Sequence, residues 1–251
     1  MKIAVCIKRV ADSETRVKTA ADGKSLDDAG VKFILNPYDE FAVEEALQRK
    51  EKAGTGEVVV LALGGTTAQE TIRTALAMGA DRGVLLQTDT IPADGFVTAQ
   101  AIAGELKAGG PWDLVLFGKM AIDDYNSQVG PMVAELLDLP CVTAVSHLSI
   151  EAGIATAERE IEGAVEVVQC PVPAVITTDK GINEPRYPAL KGIMAAKKKP
   201  LEVKPVSLSG GVIEVLEMTP PPARKEGKIV GEGAAAVPEL VKLLREEAKV
   251  L

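Results

Sequence analysis

Four short runs in the first half of the chain are apolar almost without a break: KIAVCI at 2–7, EVVVLAL at 57–63, GVLL at 83–86 and DLVLF at 113–117. A strand with one wet face alternates apolar and polar positions. Unbroken apolar runs belong to parallel strands covered on both faces. Between them the period changes to that of a helix. NPYDEFAVEEALQRKEKAG begins with Asn36 as a cap and Pro37 in the first turn, and sets Ala42, Val43, Ala46 and Leu47 on one stripe. TTAQETIRTALAMGADRG offers Thr66 and Gln69 as a capping box, Ile72, Ala75 and Leu76 as a stripe, and Gly79 as a stop. GFVTAQAIAGELKAGG ends in two glycines. Repeated strand–helix–strand units predict a doubly wound, mostly parallel α/β sheet of Rossmann-like form.

After about residue 140 the pattern turns to strands broken at Gly153 and Gly163, which predicts antiparallel strands added to one sheet edge. EPRYPALKGIMAAKKKPLEVKP, 184–205, is punctuated by Pro185, Pro188 and Pro200 and reads as an extended arm leaving the core. Residues 206–235 look irregular, with TPPPARKEGK as an exposed crossing segment. A last helix from about 237 carries Leu240, Val241 and Leu244. The expected organisation is an α/β domain over 1–183, an arm over 184–205 and a C-terminal segment over 206–251.

Composition narrows the chemistry. The 251 residues carry a net charge of −8, which disfavours a nucleic-acid partner. His147 is the only histidine, so a histidine-based triad or a multi-histidine metal site is not expected. Cys6, Cys141 and Cys170 are far apart and odd in number, which suits reduced thiols, with Cys6 a buried small hydrophobe and Cys141 and Cys170 in the core, and a cytoplasmic protein. No apolar run is long enough to span a membrane, and the start MKIAVCIKRV does not read as a secretory signal. Lys197–Lys199 reads as a solvated run.

Ligands of an open parallel sheet bind beyond the carboxyl ends of its strands. Cys6–Lys8, Leu63–Thr66 and Gly118 onward reach that edge, with Asn36–Asp39 beside them. GKMAIDDYNSQVGPM, 118–132, leads from a strand into a helix whose register Pro131 sets. The N–H groups of about Asn126–Val129 would then face the crevice and suit a nucleotide phosphate. Asp123 or Asp124 would cap the helix or accept from ribose hydroxyls, and Asn126, Ser127 and Gln128 offer neutral donors. Plain helix capping without a ligand is the competing reading. Gly118-Lys119 is not a P-loop end, because Met120 stands where a Ser or Thr would hold magnesium, and Gly64-Gly65 does not continue into GxGxxG. A nucleotide bound without such equipment would be structural. An adenylating or ATP-hydrolysing enzyme and a stand-alone nucleotide sensor are the competing classes.

VKFILNPYDEFAVEEAL, QETIRTALAMGADRG, GKMAIDDYNSQVGPM, AEREIEGAVEVVQCPVPAVITTD and NEPRYPALKGIMAAKKK together resemble the β-subunit of electron-transfer flavoprotein. The resemblance implies a heterodimer with an α-subunit, one FAD held mostly by α, and one structural AMP in this chain. It implies an electron carrier without catalytic residues or turnover of its own. Such a carrier is fed by dehydrogenases, such as the acyl-CoA dehydrogenases of fatty acid β-oxidation, and drained by a membrane quinone oxidoreductase. Carried over by position, the AMP contacts are Cys6, Asn36, Pro37, Tyr38, Asp39, Leu63, Gly118, Lys119, Met120, Ala121, Ile122, Asp123, Asp124, Tyr125, Asn126, Ser127, Gln128 and Val129. Glu160 matches a contact to the FAD domain of α. Leu190 matches the anchor of the segment that recognises dehydrogenases, with Ile193 and Met194 beside it, and residues 206–251 would pack on α. Ser13 stands where some relatives place a tyrosine near the flavin. A bifurcating branch binds a second FAD in place of AMP. Its loop carries Gly then Asp where this chain has Asp124 and Tyr125, and a bulky Tyr125 is expected to suit the smaller ligand.

Overall fold

The computed structural model describes residues 1–223 and 226–251, so Arg224 and Lys225 of the expected crossing segment lie outside it. The apolar runs are strands: β1 Lys2–Ile7, β4 Glu57–Gly64, β5 Arg82–Gln87 and β6 Leu114–Gly118. The helical stretches are α1 Pro37–Ala53, α2 Ala68–Met78 and α3 Gly95–Gly109, followed by α4 Val129–Leu137. A short antiparallel pair, β2 Arg9–Ala11 with β3 Phe33–Leu35, brings the chain back after the excursion at 12–32.

Among the described residues, nine strands form one sheet in the order β11-β5-β4-β1-β6-β10-β7-β8-β9. Here β7 is Cys141–Glu151, β8 Ile154–Ile161, β9 Ala164–Pro171, β10 Ala174–Thr178 and β11 Leu201–Pro205. All pairings from β11 to β7 are parallel, and β7-β8-β9 are antiparallel. The fold is the expected mostly parallel α/β sheet with an antiparallel extension. One core layer, with Ile72, Leu76 and Leu116, covers one face, and a second, with Ile102, Leu106 and Val115, covers the other. Burial on both faces is why these strands read as unbroken apolar runs.

The chain steps from β1 to β4 to β5 in one direction, then returns to place β6 on the other side of β1. The order reverses there, and a crevice opens beyond the carboxyl ends of β1 and β6.

Several local expectations change. Asn36 occupies the cap position of α1 but makes no side-chain cap bond, because its amide is used elsewhere. The Thr66–Gln69 capping box does not form; Thr67 takes the cap position of α2 without a side-chain bond. Cys141 is exposed, whereas Cys6 and Cys170 are buried.

The expected extended arm over 184–205 instead folds back on the domain. Asn183 and Arg186 bond Glu45 and Glu44 of α1, with Arg186 Nε 2.7 Å from Glu44 Oε2. Leu190–Ala196 forms a helix, α5, against α2, and β11 then extends the main sheet along β5. Arg73 on α2 donates to the carbonyls of Ala196 and Lys199 at 2.6 and 2.7 Å, closing the end of α5. Lys199 returns the favour by donating to Leu76 and Ala80 at the end of α2. Lys199 therefore leaves the expected solvated run: it satisfies carbonyls that a helix end leaves unpaired.

Candidate functional site

The crevice at the reversal point is lined by Cys6 and Ile7 of β1 and Lys8 just after it, from the start of α1 by Asn36 and Asp39, and from β4 by Leu63. Phe117 and the loop 118–128 form a wall, with Val129 and Gly130 of α4. Of the residues carried over as nucleotide contacts, Cys6, Asn36, Asp39, Leu63, Gly118, Lys119, Met120, Ala121, Asp124, Asn126, Ser127, Gln128 and Val129 meet here. Pro37, Tyr38, Ile122, Asp123 and Tyr125 do not line it. Tyr125 is exposed, so its bulk does not set the crevice size, and that argument for a small ligand falls away.

Burial pushes the Cys6 thiol well up, with Asp39 adding to the effect, so Cys6 is neutral and offers only its backbone and a small apolar surface. Asp39 is almost wholly buried. Its carboxylate accepts from the N–H of Lys8 at 2.7 Å, from Asn36 Nδ2 at 2.9 Å and from the N–H of Gly118 at 3.1 Å. Asn36 then holds the loop: Nδ2 donates to the Met120 carbonyl at 2.9 Å, and Oδ1 accepts from the N–H of Ile122 at 3.2 Å.

The two loop acids meet a cation that the sequence reading left unassigned. Lys8 Nζ sits 2.8 Å from Asp123 and 2.9 Å from Asp124. Burial opposes the Lys8 charge, yet the two carboxylates outweigh it and raise its pKa above the ordinary value. Asp124 also accepts from the N–H of Asn126 at 3.1 Å. It therefore caps a turn inside the loop rather than α4, and the Asn126 donor is spent. The free donors shift along the chain to about Ser127–Gly130.

Tyr125 and Ser127 both have positive φ, 55° and 53°. Non-glycine residues in that region carry strain on the order of 1–2 kcal/mol each. Two so close together mark a tightly turned backbone at the entry to α4, with the N–H groups of Tyr125 and Asn126 bonded inside the loop to Ala121 and Asp124. The helix ends sharpen this. Asp94 caps α3, accepting from the N–H of Phe96 at 2.9 Å, whereas α4 begins without a side-chain cap. Three helix starts line the crevice. α1 also lacks a side-chain cap, but Pro37 has no N–H and the N–H groups of Asp39 and Glu40 turn back to the Asn36 carbonyl, so α4 is the start with donors left for an outside acceptor.

The sequence reading missed the far wall: Ile91, Pro92, Ala93, Gly95, Thr98 and Ile102, from the loop after β5 and from α3. The same rule that picked out the ends of β1, β4 and β6 applies to β5 and would have found it.

The other singled-out residues lie apart from the crevice. Glu160 is exposed on β8. Leu190, Ile193 and Met194 are exposed on α5, Leu190 at 74% and Met194 at 65%. Ser13 is exposed in the excursion before β3, and His147 is exposed on β7.

The family described as "Electron transfer flavoprotein domain" matches residues 24–209. The chain is 44% identical over 251 residues to an electron transfer flavoprotein subunit beta from Syntrophomonas wolfei, covering all of this chain and 98% of that one. It is 42% identical to the protein of the same name from Bacillus subtilis, with complete coverage of both. The human protein of that name is 40% identical over 233 residues, 90% of this chain and 91% of its own length.

Proposed function

The chain belongs to the electron-transfer flavoprotein β-subunit family, and on that premise we propose that it binds AMP in the crevice between β1 and β6 and completes, with an α-subunit, a carrier whose FAD the partner mostly holds. Electron transfer is the family's function. The observation that carries the AMP reading is the uncapped start of α4 behind a loop with two positive-φ residues, at the reversal point of the sheet. The N–H groups of Ser127–Gly130 would take the phosphate. Ile91, Pro92, Leu63 and Ile102 would give the base an apolar berth. Asp124, fixed by Lys8 at 2.9 Å, would accept from the ribose hydroxyls.

Bound this way, AMP acts as part of the fold. It joins β1, β6, α3 and α4, and no side chain here is arranged to attack it. A monophosphate also suits the wall better than a pyrophosphate, because Lys8 on that wall is already shared between Asp124 beside it and Asp123 behind. A second FAD is therefore the weaker reading. Donation by dehydrogenases such as acyl-CoA dehydrogenases, through Leu190, Ile193 and Met194 on α5, belongs to the same proposal. So do onward transfer to a membrane quinone oxidoreductase, contact of Glu160 with the α FAD domain, and a cytoplasmic setting. Among the described residues no helix is long and apolar enough to cross a membrane.

Heat extraction of the purified, colourless chain should release AMP near one per chain. A yellow chain carrying stoichiometric FAD would overturn the AMP reading. Gln128→Glu places a charge beside the phosphate and should weaken AMP retention by on the order of 1–3 kcal/mol. Unchanged AMP content in that variant would move the phosphate elsewhere.

A further inference from the structure

The AMP reading gives Asp39 no work to do beyond lining the crevice, yet it is the most heavily engaged buried carboxylate there. We propose that Asp39 is the positioning residue of this site: its ionised carboxylate ties the carboxyl ends of β1 and β6 to the start of α1, and the loop 118–128 holds its nucleotide-binding shape through that tie. The proposal rests on the nucleotide reading above and adds the group that keeps the site in shape.

Three donors converge on two oxygens. Oδ2 takes the N–H of Lys8, the first residue after β1, and Oδ1 takes both the N–H of Gly118, the last residue of β6, and the amide of Asn36. Asn36 carries the tie onward to Met120 and Ile122. An ionised carboxylate can accept from all three donors, whereas a neutral one presents a hydroxyl to a donor and must give one up. The approach of β6 is close by construction. A Cβ on Gly118 would overlap Asp39 Oδ1 and lie 2.6 Å from the Tyr38 carbonyl carbon and 2.7 Å from the Asp39 nitrogen. Glycine is required there for space.

The charges around Asp39 set when the tie is made. From β1 come the neutral Cys6 thiol and the Lys8 ammonium, which favours the ionised form and is itself shared with Asp123 and Asp124. From β6 and its loop comes Lys119, bound to Asp179 at 2.8 Å. From β10 comes the Thr178 hydroxyl, which donates to the carbonyls of Tyr38 and Phe117. Glu40 follows on α1 itself. Burial dominates and raises the Asp39 carboxyl to about 7, against the pull of its three hydrogen bonds and of Lys8. The tie is complete above that point and loosens below it, so AMP binding should tighten as pH rises through neutrality and should release a proton.

The test uses the chain purified with its partner subunit and stripped of nucleotide, as wild type and as Asp39→Asn, titrated with AMP at about pH 6 and about pH 8. The second phosphate ionisation of AMP, near 6, acts on both proteins alike, so their difference isolates Asp39. The expected result is an affinity gain with pH about tenfold larger in wild type than in the variant, with the variant the weaker binder at the higher pH. Parallel pH profiles would overturn the proposal while leaving the AMP reading in place. AMP that binds neither protein would overturn the AMP reading and this role with it. A second readout needs no ligand: amide hydrogen exchange at Lys8, Gly118 and Ile122 should be about tenfold faster in the variant at matched pH, with β4 amides unchanged. Equal exchange at those three positions would also overturn the tie. Should Asp39→Asn fail to fold, the wild type still decides, because AMP affinity that ignores pH beyond the phosphate's own ionisation excludes a titrating tie.

Discussion

Residues 1–205 and residues 206–251 treat their apolar side chains in opposite ways. In the first region the apolar strands and helix stripes sit in two closed layers on either face of the sheet. In the second, Val212 is 92% exposed, Ile229 87% and Leu216 77%, and helix α6, Val237–Glu246, buries no residue. Yet α6 is amphipathic, with Val237, Leu240, Val241 and Leu244 along one side. An amphipathic helix gains most of its stability from burying its apolar face. Val206 packs on the core at the start of the tail, and beyond it the contacts with the domain include the N–H of Val212 to Asp94 at 3.0 Å and the N–H of Met218 to the Gly23 carbonyl at 2.8 Å. The contrast teaches that the domain carries its own core, while among the described residues the apolar side of α6 stays uncovered; we propose that it packs on a partner surface. The α-subunit is the proposed owner of that surface.

Deleting everything after Ser209 should divide the two regions most sharply. Recovery of the complex with α should fall by at least about a hundredfold, consistent with losing an interface of obligate type. The melting temperature of the isolated chain should barely move. A truncated chain that still co-purifies with α at full yield would break the comparison.

Within the domain, Leu116 is fully buried between β1 and β10. Leu116→Ala should cost roughly 2–5 kcal/mol of stability by denaturant unfolding, whereas Leu240→Ala should cost the isolated chain almost nothing. Similar costs at both positions would mean that α6 has a core of its own.

Helix α5 is the intermediate case, anchored on one side and bare on the other. Leu190→Ala should leave the melting temperature and nucleotide content near wild type while electron acceptance from an acyl-CoA dehydrogenase drops about tenfold or more. Arg73→Ala should do the reverse in part, costing about 1–3 kcal/mol by leaving the Ala196 and Lys199 carbonyls without their donor. Equal stability losses in the two variants would place Leu190 in the core instead.

The shallowest expected effect is a pH slope, at most about 1.4 kcal/mol per pH unit. The Asp39 carboxyl is raised from 3.8 to about 7 on folding, so the native state holds its proton longer than the unfolded chain. Its contribution to stability is full below the unfolded value and is lost as pH rises through the folded value. Relative to Asp39→Asn, the isolated wild-type chain should therefore lose stability between about pH 4 and about pH 7. Calorimetry that finds the two slopes equal would place the titration elsewhere. The sign is opposite to that expected for AMP binding, so a general loss of folding with pH cannot imitate both readouts.

Much of this was legible in the chain. Unbroken apolar runs marked β1, β4, β5 and β6, because strands covered on both faces cannot alternate. Gly79 and the glycine pair at 109–110 marked helix ends, because a helix must stop where its carbonyls find other partners. The reversal-point rule led to the loop 118–128 and to Asn36 and Asp39. Lys8 was less legible, since its importance lies in its pairing with Asp123 and Asp124, more than a hundred residues away. The same holds for Lys199, which resembles its neighbours Lys197 and Lys198 until α2 is packed against it.

What the sequence by itself determined was periodicity and local chemistry: which stretches are strand or helix, where the chain must turn, and which loop has donors for a phosphate. The tertiary structure alone decided the rest. It inserted β10 between β6 and β7, returned 201–205 to the sheet as β11, joined Asp39 to two strand ends, and left α6 uncovered. The physical reason is one of range. Propensity, capping and apolar period act over a few residues, and a sequence displays them directly. Strand order, a buried carboxylate's three partners and the side of a helix that finds no cover are set by residues distant in the chain that meet only once the sheet has formed.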